Sequence, residues 1–207
     1  MKDIIASIIT SVLTALYQPF WFSVILSVLV LFFYLFSYHN ETGGRGIRGA
    51  FSVWWQFFKD SAFFRKLFFL TFYTTMILFR TLLNRDMWMN PLSDVMGNWW
   101  IWKYGNDGTR NLTTECIENL MLFIPFTILL FWTAGKRILK KTTFRNAVWT
   151  GLKITFVFSL SIESLQLFLR LGTFQVSDLA YNTLGGAVFW MGYRLTEKRK
   201  ITLTNQL

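Results

Sequence analysis

The chain has 207 residues, of which 53% are hydrophobic and 19% are aromatic, while only 15% are charged. Soluble domains carry about 25% charged residues, so a soluble fold would have too little polar surface to cover this much apolar side chain. The composition excludes a disordered chain and a collagen-like rod, and it favours an all-α, polytopic bundle of membrane helices. One cysteine and one histidine exclude an intrachain disulfide and any site that needs two of either residue.

Polar side chains recur at spacings of three or four residues before the first apolar segment, which places them along one stripe of a helix. The stripe predicts an N-terminal amphipathic helix. Two placements are open: the helix lies at the membrane interface, or its stripe faces polar groups within the bundle. The stripe consists of Asp3, Ser7, Thr10, Thr14 and Gln18.

Five apolar segments then predict about five membrane-spanning helices, because about 20 residues cover a hydrocarbon core of about 30 Å. Between the first two, residues 43–65 mix basic side chains with Trp and Phe, which predicts an interfacial helix on the cytoplasmic surface. We divide the chain into an N-terminal part (1–65), a membrane domain (66–194) and a basic cytoplasmic tail (195–207). The predicted spans are residues 19–38, 66–84, 115–134, 147–170 and 177–194.

The distribution of basic residues predicts the orientation of the bundle. The chain has 21 Lys and Arg against 11 Asp and Glu, a net charge of +10. Fourteen of these cations lie in residues 39–66, residues 135–146 and the tail after 193, whereas five lie at the opposite side. The positive-inside rule then places the C-terminus in the cytoplasm and the N-terminus outside the cell membrane or at its outer interface. Because topology accounts for the basic charge, no nucleic-acid partner is predicted.

Most acidic residues then lie toward the outer side, which is where we expect the functional site. Arg80 and Glu163 fall at similar depths, about one to two helical turns below the outer interface, so we expect them to pair. A charge that faces lipid is costly, so this set of polar residues favours a cavity open to the outside over a group of interhelical clamps. Arg85 is a further candidate for its outermost layer. The predicted ligand-binding residues are Arg80, Glu115, Glu118, Asn119, Glu163, Gln166, Arg170, Asp178 and Asn182.

Several other features carry structural predictions. Gly185 and Gly186 are expected to form a close helix-packing face, and Pro125 is expected to kink or shape its helix. The Trp-rich loop of residues 86–111 predicts an outer interfacial belt or a cap over the cavity. Cys116 is expected to be an unreactive thiol at the outer interface.

Three stretches of the chain resemble the VanZ-like family over roughly residues 70–194. They are LFRTLLNRDMWMNPLSDV (78–95), TTECIENLMLFIPFTILL (113–130) and SLSIESLQLFLRLGTFQVSDLAYNTLGGAVFW (159–190). Thr127 departs from the glycine expected at that position. The resemblance implies an envelope membrane protein with no established reaction, in a family whose named member is linked to low-level teicoplanin resistance in Gram-positive bacteria. The residues that match the family pattern are Arg80, Asn119, Pro125, Glu163, Gln166, Arg170, Asp178, Asn182 and Gly185.

Two functions are compatible with these residues. The favoured one is a non-enzymatic membrane protein that binds membrane lipids, teicoplanin or a lipid-linked cell-wall precursor in the outer cavity, without a cofactor. The alternative is an intramembrane enzyme that uses Glu163 and Asp178 as a catalytic carboxylate pair. A Ser–His hydrolase, a P-loop ATPase and a His/Cys zinc site lack their residues. A carboxylate-only Mg²⁺ or Ca²⁺ site is the weaker remaining metal hypothesis, and a transporter is disfavoured because no inverted repeat is evident.

Overall fold

A computed structural model describes residues 6, 9–10, 13–14, 17–39, 46–85, 87, 89–104, 109–139 and 143–188. The fold is an all-α helical membrane bundle, as predicted, with one short β-hairpin in the loop between α3 and α4. The helices are α1 (Phe20–His39), α2 (Ile47–Asp60), α3 (Ala62–Leu78), which continues as a π-helical turn (Phe79–Leu83), α4 (Glu115–Ile138), α5 (Phe144–Leu169) and α6 (Val176–Val188).

Four of the described helices are long and apolar enough to cross a membrane. They are α1, α3 with its π-helical turn, α4 and α5, and each covers one of the first four predicted spans to within one residue. The fifth predicted span is described as α6, which begins at Val176; residues 189–194 of that span lie outside the described part of the chain. Trp21, Phe33 and Phe36 on α1 are exposed and suited to lipid contact, because contact of such large apolar side chains with water is unfavourable.

An aromatic cluster joins α1, α2 and α3 at the end of the bundle that carries the basic loops. Trp54 of α2 is buried against Phe64 and Phe68 of α3, and Leu31 of α1 belongs to the same core. The helix predicted within residues 43–65 is present as α2, but α3 begins four residues before its predicted start. The reason is Ser61, whose Oγ accepts from the Phe64 N–H at 3.2 Å and so caps α3 directly after α2.

Two glycines bring α6 into close contact with α4 and α5. A Cβ atom at Gly185 would overlap the Leu120 carbonyl, and one at Gly186 would overlap the Thr155 side chain. Only glycine allows the helices to approach this closely. The predicted packing role of both glycines is therefore confirmed, and it explains how α6 is held against the rest of the bundle.

The β-hairpin was not predicted from the sequence. Strand β1 (Trp102–Tyr104) pairs antiparallel with β2 (Arg110–Leu112), and Trp102 lies opposite Leu112. The sequence between the strands is Gly-Asn-Asp-Gly-Thr, a composition typical of turns. The strands are three residues each, too short for an alternating apolar pattern to stand out among five tryptophans and tyrosines of the loop.

Candidate binding site

The site forms at the end of the bundle where α3 ends and where α4 and α6 begin. There α3 widens into its π-helical turn, in which the Asn84 N–H donates to the Phe79 carbonyl at 2.9 Å. Such i→i+5 turns shift the following side chains around the helix and often occur at functional sites. The turn is tied to α5, because Gln166 Nε2 donates to the Thr81 carbonyl at 2.7 Å.

Arg80, in this π-helical turn, forms an ion pair with Glu118 in the first turn of α4. The second carboxylate oxygen of Glu118 accepts a hydrogen bond from the Thr114 hydroxyl. The expected pairing of Arg80 with Glu163 was therefore wrong. A pairing depends on which helix each side chain faces as well as on depth, and Arg80, in the π-helical turn, faces Glu118 of α4.

An open cavity of about 490 Å³ lies beside this ion pair. Part of its wall comes from the N-terminal stripe, and Gln18 Oε1 accepts a hydrogen bond from Asn84 Nδ2 at 3.0 Å. Of the two open placements, the described stripe residues therefore face polar groups of the bundle; Asp3 and Ser7 lie outside the described residues. The cavity is lined by Thr10, Thr14, Gln18, Arg80, Asn84, Arg85 and Glu118.

A second polar group lies between α5 and α6. Glu163 is 2% exposed, and its Oε2 accepts the Gln175 N–H at 3.0 Å in the turn before α6. Asp178 is close enough to Glu163 for the two carboxylates to repel each other. The side chain of Asn119 is near Asp178, and Glu115 interacts electrostatically with Asp178. Helix α4 therefore also contributes to this second polar group.

Arg85 connects the cavity with these buried carboxylates. It lines the cavity and also interacts electrostatically with both Glu163 and Asp178. Its guanidinium lies above Gly172, whose φ of 102° and lack of a side chain leave the space open; a Cβ there would be 3.6 Å from Nη1. In an α-helical projection residues five apart do not share a face. For this reason the sequence predicted Arg85 only as a further candidate in the outermost layer, and not as a neighbour of Arg80.

Three of the predicted ligand-binding residues have other roles or positions. Gln166 holds the π-helical turn, and Asn182 Nδ2 donates to Ser159 Oγ at 2.9 Å, so both tie helices together. Arg170 is exposed, and its left-handed backbone (φ 55°) ends α5. Arg170 follows Glu163 by seven residues, a spacing that would place both on one helical face, but α5 ends at Leu169.

The described part of the Trp-rich loop covers the turn between α5 and α6. The Phe174 and Val176 N–H groups donate to the carbonyls of Pro91 and Val95 at 2.9 and 2.8 Å. The Tyr181 hydroxyl donates to the Trp99 carbonyl at 2.7 Å. The described part of the loop thus covers the turn whose Gln175 binds Glu163, and none of its described residues lines the open cavity. Its predicted contact with the membrane interface stays a prediction.

Within the described residues, no group of three or more His, Cys, Asp or Glu side chains could hold a metal ion. The arrangement instead offers two arginines, a paired carboxylate and uncharged polar side chains around an open space. Guanidinium groups bind phosphate and carboxylate oxygens through paired hydrogen bonds. The chemistry that this geometry can perform is recognition of an anionic group.

A protein-family model described as VanZ/LLP1 matches residues 19–197. The chain belongs to the VanZ/LLP1 family. The match begins at α1, so the family resemblance noted over roughly 70–194 extends over α1 and α2 as well. No curated protein and no solved structure matched the chain. Family membership and the apolar helices together identify a VanZ-like membrane protein, and both parts of the polar site lie within or next to the matched range.

Proposed function

We propose that this VanZ/LLP1 family member is a non-enzymatic membrane protein that binds the headgroup of a lipid-tailed or lipid-linked amphiphile in the cavity beside Arg80 and Arg85. The observation that carries the proposal is that both arginines line one open cavity with a single carboxylate, that of Glu118. Because Arg80 is already paired with Glu118, the lining keeps an excess of one positive charge. An anionic phosphate or carboxylate that enters would be attracted and held by charge-assisted hydrogen bonds.

Apolar side chains beside the cavity suit the tail of such a ligand. Tyr17 and Leu83 are exposed, and each is the chain neighbour of a lining residue, Gln18 and Asn84 respectively. Phe22 of α1 contacts Phe79 of the π-helical turn, with ring centroids 5.2 Å apart and ring planes tilted by 51°. An amphiphile would therefore find a charged pocket for its headgroup directly next to an apolar surface for its chain.

The biological role follows from orientation and family. Fourteen of the 21 Lys and Arg residues belong to residues 39–66, residues 135–146 and the tail after 193, so the positive-inside rule supports a cavity that opens to the outer leaflet. There it would meet cell-wall lipid precursors and lipoglycopeptides such as teicoplanin. Retention of either at the membrane surface would give low-level drug tolerance without any chemical change to the drug.

The test measures binding of an anionic phospholipid, phosphatidylglycerol, to the purified full-length chain in phosphatidylcholine nanodiscs. Arg85→Gln removes the cation that is not paired with Glu118, and loss of a charge-assisted hydrogen bond should weaken binding by about tenfold or more. Arg170→Gln is the matched control, because it removes an exposed arginine that is not part of the lining. Equal binding by both variants and the unmodified chain would contradict the proposal.

A second function is favoured by one specific observation, the burial of Glu163 beside Asp178. Two neighbouring carboxylates can divide the roles of general acid and general base. In this candidate function the protein is an intramembrane enzyme acting on an envelope lipid or lipid-linked precursor. We favour binding because both carboxylates have a cation, Arg85, nearby, whereas a proton-transfer pair would more often leave one carboxylate without one.

A further inference from the structure

Three residues of the N-terminal stripe, Thr10, Thr14 and Gln18, form one wall of the cavity. These residues are four apart and therefore share one face of a helix. The segment is helical at Thr10 and Thr14, and the Gln18 N–H donates to the Thr14 carbonyl at 3.1 Å. Ile9 and Leu13, each directly before a stripe residue, are exposed and are not part of the lining.

The two walls of the cavity differ in chemistry. One carries the charges of Arg80, Arg85 and Glu118, whereas the stripe presents two hydroxyls and one amide. A hydroxyl or an amide both donates and accepts hydrogen bonds, which matches the hydroxyl groups of a polyol or sugar. An ammonium group only donates hydrogen bonds, so it would leave the donors of the stripe unmatched, and the Glu118 carboxylate already accepts from Arg80 and Thr114.

The stripe is also tied to the helix end that carries the arginines. Gln18 Oε1 accepts from Asn84 Nδ2 at 3.0 Å, so the last stripe residue is tied to the end of the π-helical turn. Ser23 N–H donates to the Pro19 carbonyl at 2.8 Å, which begins α1 immediately after the stripe. A wall fixed before the ligand arrives loses less conformational entropy on binding and can therefore discriminate between headgroups.

We propose that the N-terminal stripe recognises headgroup hydroxyls, so that the preferred ligand is a phosphodiester amphiphile with a glycerol or sugar headgroup. This inference rests on the proposed function, because it assumes that the arginines bind the phosphate. The cavity of about 490 Å³ falls within the range of about 300–1,000 Å³ typical of small-ligand sites. It has room for a phosphate and a polar group between the two walls.

The experiment compares phosphatidylglycerol with phosphatidylpropanol, which has the same charge and carbon skeleton but lacks the two headgroup hydroxyls. Each lipid is titrated into phosphatidylcholine nanodiscs that hold the full-length chain, and bound lipid is counted by native mass spectrometry. The unmodified protein should prefer phosphatidylglycerol by about fivefold to tenfold, the effect of one or two hydrogen bonds. Phosphatidylethanolamine should bind more weakly than phosphatidylglycerol.

Variants assign this preference to the stripe. Thr10→Val with Thr14→Val keeps the side-chain shape and removes both hydroxyls, so it should abolish the preference by lowering phosphatidylglycerol binding to the level of phosphatidylpropanol binding. Thr10→Ser with Thr14→Ser should retain the preference, and Ile9→Ala with Leu13→Ala controls for changes in the helix. A preference that survives the double valine variant would overturn the assignment.

Failure of this inference is distinguishable from failure of the proposed function. If both anionic lipids bind equally and Arg85→Gln weakens both, the phosphate site stands and hydroxyl recognition is wrong. If neither anionic lipid binds better than phosphatidylcholine, both proposals are wrong. A preference for phosphatidylethanolamine over phosphatidylglycerol would also overturn the inference, since it would assign the stripe side to an ammonium group.

Discussion

Arg80 and Glu118 form an ion pair that joins the end of α3 to the beginning of α4. The two side chains are 26% and 13% exposed, so the pair is largely shielded from solvent. Glu118 lies in the first turn of α4, where the helix dipole favours a negative charge. Thr114, directly before α4, donates to its second oxygen. The pair thus fixes two helices and forms the charged side of the open cavity.

Removal of either partner of this pair should destabilise the protein more than removal of both. Arg80→Met or Glu118→Leu alone leaves an uncompensated charge, which costs up to roughly 3–5 kcal/mol when the pair is fully buried. The double variant should recover most of the lost stability. Thermal unfolding of detergent-solubilised protein measures this, with Glu115→Gln as the exposed acidic control on the same helix. Equal melting of single and double variants would show that the pair adds nothing.

The glycine contacts of α6 predict that the stability of the bundle depends sharply on side-chain size at residues 185 and 186. Gly185→Ala and Gly186→Ala should each destabilise the bundle by roughly 1–3 kcal/mol, the usual cost of overpacking. Gly135→Ala is the matched control, since a Cβ there would meet Phe131 at ordinary contact distances of 3.7 Å or more. The melting temperature should fall for the first two variants and stay nearly constant for the third. A normal melting temperature for Gly186→Ala would contradict the packing against Thr155.

The orientation predicted from basic residues can be measured by cysteine labelling on intact cells. Cys116 is buried, so it is a poor reporter and is first replaced by Ala. Met89→Cys should then react with a membrane-impermeant reagent, because Met89 is 92% exposed in the loop expected outside. Ile47→Cys, 89% exposed at the opposite end, should react only after the cells are lysed. The reverse labelling pattern would invert the topology.

Substitution of the buried acids distinguishes binding from catalysis. If Glu163 and Asp178 only help to hold Arg85 and the ligand, Glu163→Gln and Asp178→Asn should weaken affinity by a modest factor, and higher expression should restore drug tolerance. If they relay protons, the amides should abolish function while binding stays nearly intact, because an amide cannot relay a proton at neutral pH. We expect the first outcome.

The decisive chemical measurement is mass spectrometry of teicoplanin and lipid extracts after incubation with the purified protein. A covalent change that requires Glu163 or Asp178 would show that the protein is an enzyme. Unmodified extracts, together with tolerance that recovers with expression, are the result expected of a binding protein.

Several features could be predicted from the sequence because they depend on local patterns. The apolar segments predicted four of the spans, because the length and hydropathy of a span depend only on the residues of that one segment. The spacing of four between Thr10, Thr14 and Gln18 gave the stripe, and the adjacent Gly185 and Gly186 gave the packing face of α6. The family motifs pointed to the polar residues, most of which are present at the same end of the bundle.

The partners of those residues were decided by the tertiary structure. Arg80 pairs with Glu118 instead of Glu163, and Arg85 both lines the cavity and interacts with the buried acids. Both residues follow the start of a π-helical turn at the end of α3, and the pattern of apolar residues does not predict this turn. Arg170 is excluded from the face of Glu163 because α5 ends one residue before it. A sequence gives the depth of a charge along its own helix, but its partner depends on helix rotation and on which helices are neighbours, and both are set by packing between segments far apart in the chain.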